Sequence, residues 1–590
     1  MRLAALFAVK HSFSANRWAK PCKQPCLALM DSTKKKLRRS CPTRILIALV
    51  CGILSCVVAG FAQTPTPTPN VPDTVPVAPT FNTPERPMPS AERIGVNTDN
   101  QLSLTLDQAI EMALKNNNDI DASRNDAQIS GFGLKGARGI YDPLLNSETY
   151  YESRTTPTAS TIGGAVNGSV TQRQFFNNVG LSGYVPRFGG SYDAIFTSSR
   201  TNTTNRNATL NPQYPTNIIF TYTQPLWRGL RFDNNRRQIE IAKKNVNLTD
   251  AQLRQKAMDV VAGVEQTYWD LTFALRNLQV QTDSLKQAKD QLESNKRLVD
   301  KGVLAPIEIV AANAQIATFE QTVYLAQESV TRAENTLKTY VLPDRTASEW
   351  SRPLTPVTPI GLTVPRIGLE VAMTEAIKNR PEIEQLGTNA DINRINERFY
   401  REQTKPQIDL VSSYTTAGLA GTRNPLSSGS ATVPPNLVGG YFTSLGDLFR
   451  QDFPTYRFGV QISLPIGNHV AKANLGLTLV AANKIANQRA QTEQVIEAQV
   501  RNALQALRSA EARLASATAA RAAAEELYAS EQRQFRGGTA TFYLVVQRQT
   551  ELTAARGREI QAQTDLNKAI SEFQRAIGTT LTVNNVTVSK

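Results

Sequence analysis

The chain has 590 residues, of which 41% are hydrophobic and 19% are charged, which is enough for more than one hydrophobic core. Its formal net charge is +15, but residues 1–62 hold 11 Lys and Arg and one Asp, so the remainder holds 54 basic against 49 acidic residues. The basic excess is therefore mainly a feature of the N-terminus, and we expect no nucleic-acid partner.

Cysteine and histidine are scarce in this sequence. All five cysteines precede residue 62, and the only histidines are His11 and His469. A disulfide, a Cys/His metal site or a catalytic Cys/His pair needs these residue types. The composition therefore favours a structural or transport role, with no catalytic residue, metal or cofactor expected. Catalysis by carboxylates alone is not excluded by counting.

Residues 1–62 are interpreted as an N-terminal extension and a signal peptide. A basic segment at 34–39 is followed by an apolar run at 45–58 and by small residues that end at Ala62. The apolar run is short of the ~20 residues that a spanning helix needs. We therefore expect the chain to be exported, with cleavage after Ala62.

Two alternatives remain at this end of the chain. Residues before Met30 resemble neither a signal nor a fold, so Met30 is the expected start. Cys56 follows Ile53-Leu54-Ser55, a weak lipobox-like pattern, and its lipidation is the alternative to cleavage after Ala62.

Residues 63–100 form a Pro/Thr-rich segment, with nine prolines between Pro65 and Pro89. Proline has no backbone N–H to donate to a ladder, so this segment is predicted to be an extended linker.

An internal duplication organises the rest of the chain. Residues 104–151 align with 367–414 at a constant offset of 263 and without a gap, from Leu106 on Leu369 to Tyr151 on Tyr414. Further along, the offset falls to 240 and then to 236, which indicates insertions between equivalent elements. The parts are a first repeat (101–341), an inter-repeat linker or equatorial segment (342–366), a second repeat (367–578) and a C-terminal tail (579–590).

Each repeat opens with a predicted helix. In the first repeat Thr105 and Gln108 have the spacing of a capping box, and apolar residues follow at helical spacing from Leu106. Pro143 and its counterpart Pro406 end the segment, because proline cannot continue a helix.

Strands are predicted at 144–225 in the first repeat and at 407–465 in the second. Large apolar residues alternate with small or polar ones. This pattern suits a half-buried sheet in water as well as a membrane barrel with a polar lumen, and the export signal and helical context favour the barrel. The candidates for the lipid-facing side are Ile218, Phe220, Tyr222, Ile408, Leu410, Tyr414, Tyr456, Phe458, Val460, Ile462 and Leu464. An extra hairpin at 179–196 has no counterpart in the second repeat, and the sequence leaves open whether it joins the barrel.

Two long helical hairpins are predicted, at 231–341 and 468–578. Their apolar residues recur at 3-4 spacing, which is typical of a coiled-coil seam. One helix would be ~100 Å long at ~1.5 Å per residue, too long to hide in one globule, so copies of the chain are expected to pack together. The hairpins reverse at Gly302 and at Gly537-Gly538, where glycine suits a positive φ.

In this order these features resemble the TolC family of outer-membrane efflux proteins, over roughly 104–578. They are the duplicated Leu-x-x-Ala-x-x-x-Ala-x-x-Asn opening, the Pro-Leu and Pro-Ile strand ends, and the glycine-tipped hairpins. The resemblance implies an α+β membrane protein whose duplicated β-strand pairs, four strands from each chain, form a trimeric transmembrane β-barrel continuous with a long α-helical coiled-coil tunnel in the periplasm. It also implies a homotrimer in outer-membrane lipid that receives cargo from an inner-membrane pump through a periplasmic adaptor.

The resemblance further implies a gate at the periplasmic hairpin tips, narrowed by acidic residues on each returning helix. In this sequence the residue six positions after the tip glycine is Glu308 in the first hairpin and Leu544 in the second. The residue nine positions after the tip glycine of the second hairpin is Gln547. We expect weaker cation binding or closure by apolar contact, with Phe535 as the constricting aromatic. The alternative for Glu308 is a solvated residue at a helix start. The tip and gate candidates are Val299, Lys301, Gly302, Glu308, Phe535, Arg536, Gly537, Gly538, Leu544 and Gln547.

The sequence thus predicts passive conduction with no enzymatic activity. The alternatives are a periplasmic adaptor, a secreted coiled-coil structural protein or adhesin, and a carboxylate-only enzyme. Adaptors normally have one helical hairpin flanked by small all-β domains. The two hairpins and the duplicated strand pairs of this chain therefore argue against an adaptor. The sequence does not identify the cargo, the pump, the adaptor or the resting state of the gate.

Overall fold

The structure, a computed structural model, describes residues 87–90, 92–97, 100–159, 161–165, 167–361, 363–427 and 432–587. The predicted signal peptide, Met30, Cys56 and most of the Pro/Thr-rich linker lie outside the described residues. In the described part of the chain, no helix combines the length and the apolar character that crossing a bilayer requires.

The helices and strands alternate in two similar series. In chain order they are β1 (Leu102–Leu104), α1 (Leu106–Asn116), α2 (Asn118–Arg138), β2 (Leu144–Pro157), β3 (Ser169–Tyr184), β4 (Ser191–Thr203), β5 (Leu210–Pro225), α3 (Asn234–Asp300), α4 (Ile307–Val341), β6 (Leu354–Pro356), α5 (Leu369–Asn379), α6 (Pro381–Gln403), β7 (Gln407–Arg423), α7 (Tyr441–Arg450), β8 (Phe453–Ser463), α8 (His469–Arg536), α9 (Phe542–Ile577) and α10 (Thr580–Val583).

The duplication is visible in the opening helices. α1 and α5 have the same length and begin at equivalent residues, and their matched alanines, Ala109 with Ala113 and Ala372 with Ala376, are completely buried. The predicted capping box is present, because Thr105 accepts from the Gln108 backbone and the Gln108 side chain accepts from the Thr105 backbone N–H. Because these small buried residues have the same spacing in both helices, each opening helix packs closely on the long helices of its own repeat.

Six strands form one antiparallel sheet in the order β2-β3-β4-β5-β7-β8. The extra hairpin of the first repeat supplies β3 and β4, which pair with β2 on one side and with β5 on the other. The expectation of four strands per chain is therefore wrong for this protein. The reason is that the inserted strands continue the ladder from β2 to β5, instead of forming a separate ribbon.

Two long helical hairpins follow the strands. α3 has 67 residues and α8 has 68, so each is ~100 Å long at ~1.5 Å per residue. Gly302 and Gly538 both have φ +74°, as predicted for the reversals, whereas Gly537 has φ −81° and only closes the helix before it. The left-handed conformation at each reversal is one that glycine adopts without steric cost.

The inter-repeat segment is tied to the start of the first repeat. β6 pairs with β1 in parallel, and the hydroxyl of Tyr268 on α3 donates to the Leu104 carbonyl at 2.9 Å and accepts from the Thr358 backbone N–H at 3.0 Å. Because Tyr268 is fully buried and both of its polar contacts are satisfied, it fixes this two-stranded sheet on the long helix.

Glu265 on α3 is a buried carboxylate between α9 and the C-terminal tail. It accepts hydrogen bonds from the Ser571 hydroxyl and, at 2.8 Å, from the Asn584 side-chain amide. Burial raises the pKa of this carboxyl, and the two hydrogen bonds offset that rise only in part.

We therefore expect Glu265→Gln to raise the unfolding temperature increasingly as the pH rises from about 4 to about 8. The pKa of this carboxyl in the folded protein lies above the ordinary value of 4.5. Its favourable contribution to the free energy of unfolding is therefore complete below pH 4.5, and it is lost as the pH rises through the folded-state pKa. Thermal unfolding of both proteins over this pH range measures the difference. A difference that does not change with pH would contradict the assignment.

Candidate functional site: the sheet faces and the hairpin tips

The strand register divides the sheet into two chemically different faces. Residues directly opposite one another in paired strands share a face, and Phe220 lies opposite Tyr414, which lies opposite Tyr456. The same parity places ten of the eleven lipid-face candidates on this side, which we call the apolar face, and Leu464 directly follows the end of β8. The apolar face extends through the inserted strands and β2, where its apolar members are Phe196, Val179, Leu181, Phe175, Leu145 and Tyr151.

Many side chains of the apolar face are solvent-exposed in a single chain. Those of Phe220, Leu410 and the candidates from Tyr456 to Leu464 are exposed, whereas Ile218, Tyr222, Ile408 and Tyr414 are half-buried. An exposed apolar surface of this extent marks an interface with a membrane or a partner.

The opposite side of the sheet, here called the polar face, carries most of the charged and amide side chains of the strands. They come from every part of the sheet: Glu148, Glu152, Arg154, Gln172, Gln174, Asp193, Asn217, Asp409, Arg457 and Gln461. The register places five others on the apolar face: Arg173, Asn177, Arg200, Asn202 and Gln224. A barrel made from this sheet would place the polar face on the lumen, because charged groups are costly in contact with lipid.

The tips of the two hairpins lie together. A core at this end joins Leu292 and Ala312 of the first hairpin to Phe542 of the second, with Phe535 packed against it. The rings of Phe535 and Phe542 have centroids 6.0 Å apart. Phe535 is therefore partly buried by packing within its own chain, and its predicted role as a constricting aromatic remains a prediction.

The other tip candidates are at the surface of this end. Lys301, Gly302, Arg536, Gly537, Gly538 and Gln547 are exposed, and Val299, Glu308 and Leu544 are half-buried. An acidic residue that was not among the candidates, Glu551, lies one turn beyond Gln547. It is paired with Arg548 at 2.7 Å, and this contact lowers the pKa of the Glu551 carboxyl.

An exposed apolar residue occupies the same position in both tips. Ile307 and Tyr543 each lie five residues after the tip glycine, and they are 66% and 72% exposed. This pair was not among the predicted tip residues, although the offset of 236 aligns the two positions in the sequence. In the first tip, Val303 and Val310 extend the exposed apolar surface.

Solved structures share this arrangement of sheet and hairpins. The outer-membrane channel OprN is 17% identical to this chain, with a TM-score of 0.57, over 85% of this chain and 98% of its own. The CmeC outer-membrane channel of Campylobacter jejuni is 14% identical, with a TM-score of 0.59, over 85% and 94%. The MtrE outer-membrane channel of Neisseria gonorrhoeae, in its open state, is 17% identical, with a TM-score of 0.55, over 84% and 98%. The fold is thus that of an outer-membrane channel subunit.

The family model described as outer membrane efflux protein matches residues 174–341 and 372–579, which is more than half of the chain. The chain therefore belongs to the outer membrane efflux protein family, and the resemblance to the TolC family is confirmed. The family consists of efflux channels and not of enzymes. A comparison with curated proteins finds no match.

Proposed function

We propose that three copies of this chain form a passive duct across the outer membrane and the periplasm. In this proposal an inner-membrane pump delivers the cargo through a periplasmic adaptor, and the chain performs no chemistry. The family and the channel fold support the outer-membrane duct, and the proposal adds the oligomer, the partners and the passive mechanism.

The observation that carries the proposal concerns β2 and β8, at opposite ends of the sheet. Within the described part of the chain, each has one edge that pairs with no other strand. All 14 residues of β2 and all 11 of β8 are exposed in a single chain. Long exposed edge strands present unpaired N–H and C=O groups, so they pair with another chain unless something covers them. Closure of the ring, β8 of each copy against β2 of the next, satisfies both edges at once.

Six strands per chain are compatible with such closure. Each neighbouring pair in the sheet is antiparallel, so β2 and β8 run in opposite directions and the junction between copies is antiparallel too. Three copies of the six-stranded sheet give an eighteen-stranded barrel. Barrels of ~16–18 strands leave an aqueous channel, so the inserted hairpin widens the membrane-spanning part of the duct.

Single-channel recording of the purified protein in a planar bilayer tests this function. We expect discrete conductance steps, and an equivalent preparation from cells without the gene controls for other pore-forming proteins. Absence of conductance with correctly assembled protein, at every voltage and pH tried, would count decisively against a duct.

The duplicated exposed residues at the tips support an adaptor at this end. Paired apolar side chains of this kind suit a protein partner. We expect the double variant Ile307→Ser with Tyr543→Ser to reduce export of cargo by cells severely while single-channel conductance stays unchanged. Parallel export and conductance assays on this variant distinguish docking from pore formation. Unimpaired export would remove these residues from the docking surface.

Glu308 provides a test of the gate. If its carboxylate lies at the entrance, Glu308→Gln should lower the preference of the channel for cations and weaken block by divalent cations. Leu544→Gln, at the equivalent position of the second hairpin, is the matched control and should leave the reversal potential in a salt gradient unchanged. Identical reversal potentials for Glu308→Gln and the unaltered protein would exclude Glu308 from the gate.

A further inference from the structure

The short helix α7 buries two polar residues and Leu448 against the sheet and exposes two phenylalanines. Ser444 and Asp447 are fully buried, whereas Phe442 and Phe449 are 83% and 74% exposed. A helix on the surface of a water-soluble protein normally has the opposite orientation, with apolar residues toward the core. The orientation of α7 therefore indicates an apolar surrounding on its outer side.

The contact between α7 and the sheet is close and polar. The hydroxyls of Thr216 and Ser444 are 2.8 Å apart, and the Thr416 hydroxyl donates to the Leu448 carbonyl at 3.3 Å. At Gly418 a Cβ atom would come within 2.0 Å of the Ser444 carbonyl oxygen, so only glycine allows the helix to lie this near. The packing of α7 against the sheet therefore depends on these particular residues.

This contact is on the apolar face. Thr416 lies directly opposite Ile218, and Thr216 lies two residues from Ile218 along β5, so the threonines point to the same side as the lipid-face candidates. Beneath α7 this face has small or polar residues, such as Thr416 and Gly418. Nearer the helical hairpins most of its residues are large and apolar, as at Ile218, Phe220 and Tyr414. Where α7 covers the sheet, Phe442 and Phe449 therefore extend the exposed apolar surface of the strands.

The position of α7 along the strands matches the rim of the barrel. Thr216 precedes Pro225, the last residue of β5, by nine residues. At ~3.3 Å per residue this is about 30 Å along the strand, or about 23 Å along the membrane normal for a tilt of ~40°. The apolar band of an outer-membrane barrel is ~25 Å tall, so α7 lies near its upper edge, distant from the helical hairpins.

We propose that α7 is an interfacial helix that inserts Phe442 and Phe449 among the acyl chains of the outer leaflet. Arg450, at the end of the helix, has an exposed guanidinium that pairs with Asp447 at 2.5 Å and with Asp452 at 3.3 Å, and it lies at the level of the headgroups. A helix of this kind fixes the depth of the barrel in the membrane. The inference rests on the proposed function, since it requires the sheet to span the outer membrane.

Site-specific fluorescence in vesicles tests this inference. Because all five cysteines lie within residues 1–62, replacing that segment by another signal sequence leaves a chain without cysteine. Single cysteines at Phe442, Phe449, Ile462 and Gln461 are then labelled with a fluorophore. The labelled proteins are reconstituted in phosphatidylcholine vesicles that contain a nitroxide-labelled lipid. Ile462 is on the apolar face, and its neighbour Gln461 is on the polar face.

We expect the labels at 442 and 449 to lose as large a fraction of their fluorescence as the label at 462, while the label at 461 keeps its fluorescence. Quenching at 462 without quenching at 442 and 449 would overturn the inference for α7 but leave the proposed function standing. It would show that the outer side of α7 contacts water or a neighbouring copy instead of lipid. Absence of quenching at 462 as well would overturn both.

Discussion

Replacing Phe458 by arginine is expected to destabilise the membrane-inserted protein by roughly 2–4 kcal/mol, whereas replacing Gln461 by arginine leaves its stability within ~0.5 kcal/mol. The two residues are on the same strand, β8, and three residues apart, so they point to opposite faces of the sheet. A charge at position 458 would meet hydrocarbon near the middle of the strand.

The control position has the environment that an arginine needs. Gln461 lies opposite Asp409 on the polar face, and Arg457 already occupies this face one residue before Phe458. Folding of the purified protein into phospholipid vesicles, followed as a function of urea concentration, gives the free energy for each variant. Equal losses for the two variants would show that the two faces do not differ in contact with lipid.

Replacing Lys338 by methionine is expected to lower the free energy of unfolding by about 3–5 kcal/mol. Lys338 and Glu334, one turn apart on α4, have side chains 0% and 1% exposed, with Lys338 Nζ and Glu334 Oε1 2.6 Å apart. The ammonium group also donates to the Trp350 carbonyl at 2.8 Å, and Arg93 pairs with the second oxygen of Glu334. Methionine would leave the Trp350 carbonyl without its donor and the carboxylate with one cation fewer.

Lys568→Met is the matched control for this prediction. Lys568 pairs with Asp270 at 2.7 Å, but both side chains are partly exposed, and pairs of this kind contribute about 0–1 kcal/mol. Thermal unfolding of the two variants beside the unaltered protein compares the buried cluster with the exposed pair. Equal shifts in unfolding temperature would contradict the view that the buried cluster fastens the N-terminal and inter-repeat segments to α4.

Features governed by local chemistry could be predicted from the sequence. The capping box at Thr105 depends on residues three positions apart, and the positive φ of Gly302 and Gly538 depends on the absence of a Cβ atom. The duplication supported these predictions because the same pattern occurs in both repeats, as with the buried alanines of α1 and α5.

Features governed by pairing between distant segments could not be predicted. The alternation in β3 and β4 identifies strands but not their neighbours, so the number of strands in the sheet remained open until the register was known. Likewise, Glu334 and Lys338 have the spacing of an exposed helical ion pair, and only the packing of the inter-repeat segment and Arg93 against α4 buries them.

The helix α7 was missed for a related reason. Its phenylalanines, Phe442 and Phe449, are exposed while Ser444 and Asp447 are buried, so its pattern alone does not indicate a packing partner. The contacts at Thr216 and Gly418 identify the side that faces the sheet, and these contacts depend on tertiary structure. The roles of the tip residues remain predictions because they depend on other copies of the chain and on partners.

Electron cryomicroscopy of the purified full-length protein in lipid nanodiscs would show directly whether the sheets of several copies close into a barrel. We expect three copies around one axis, with β8 of each copy antiparallel to β2 of the next. Their eighteen strands would close into one barrel whose apolar face meets the lipid. A single copy whose apolar face is covered by its own chain, or a ring from which β3 and β4 are excluded, would contradict this expectation.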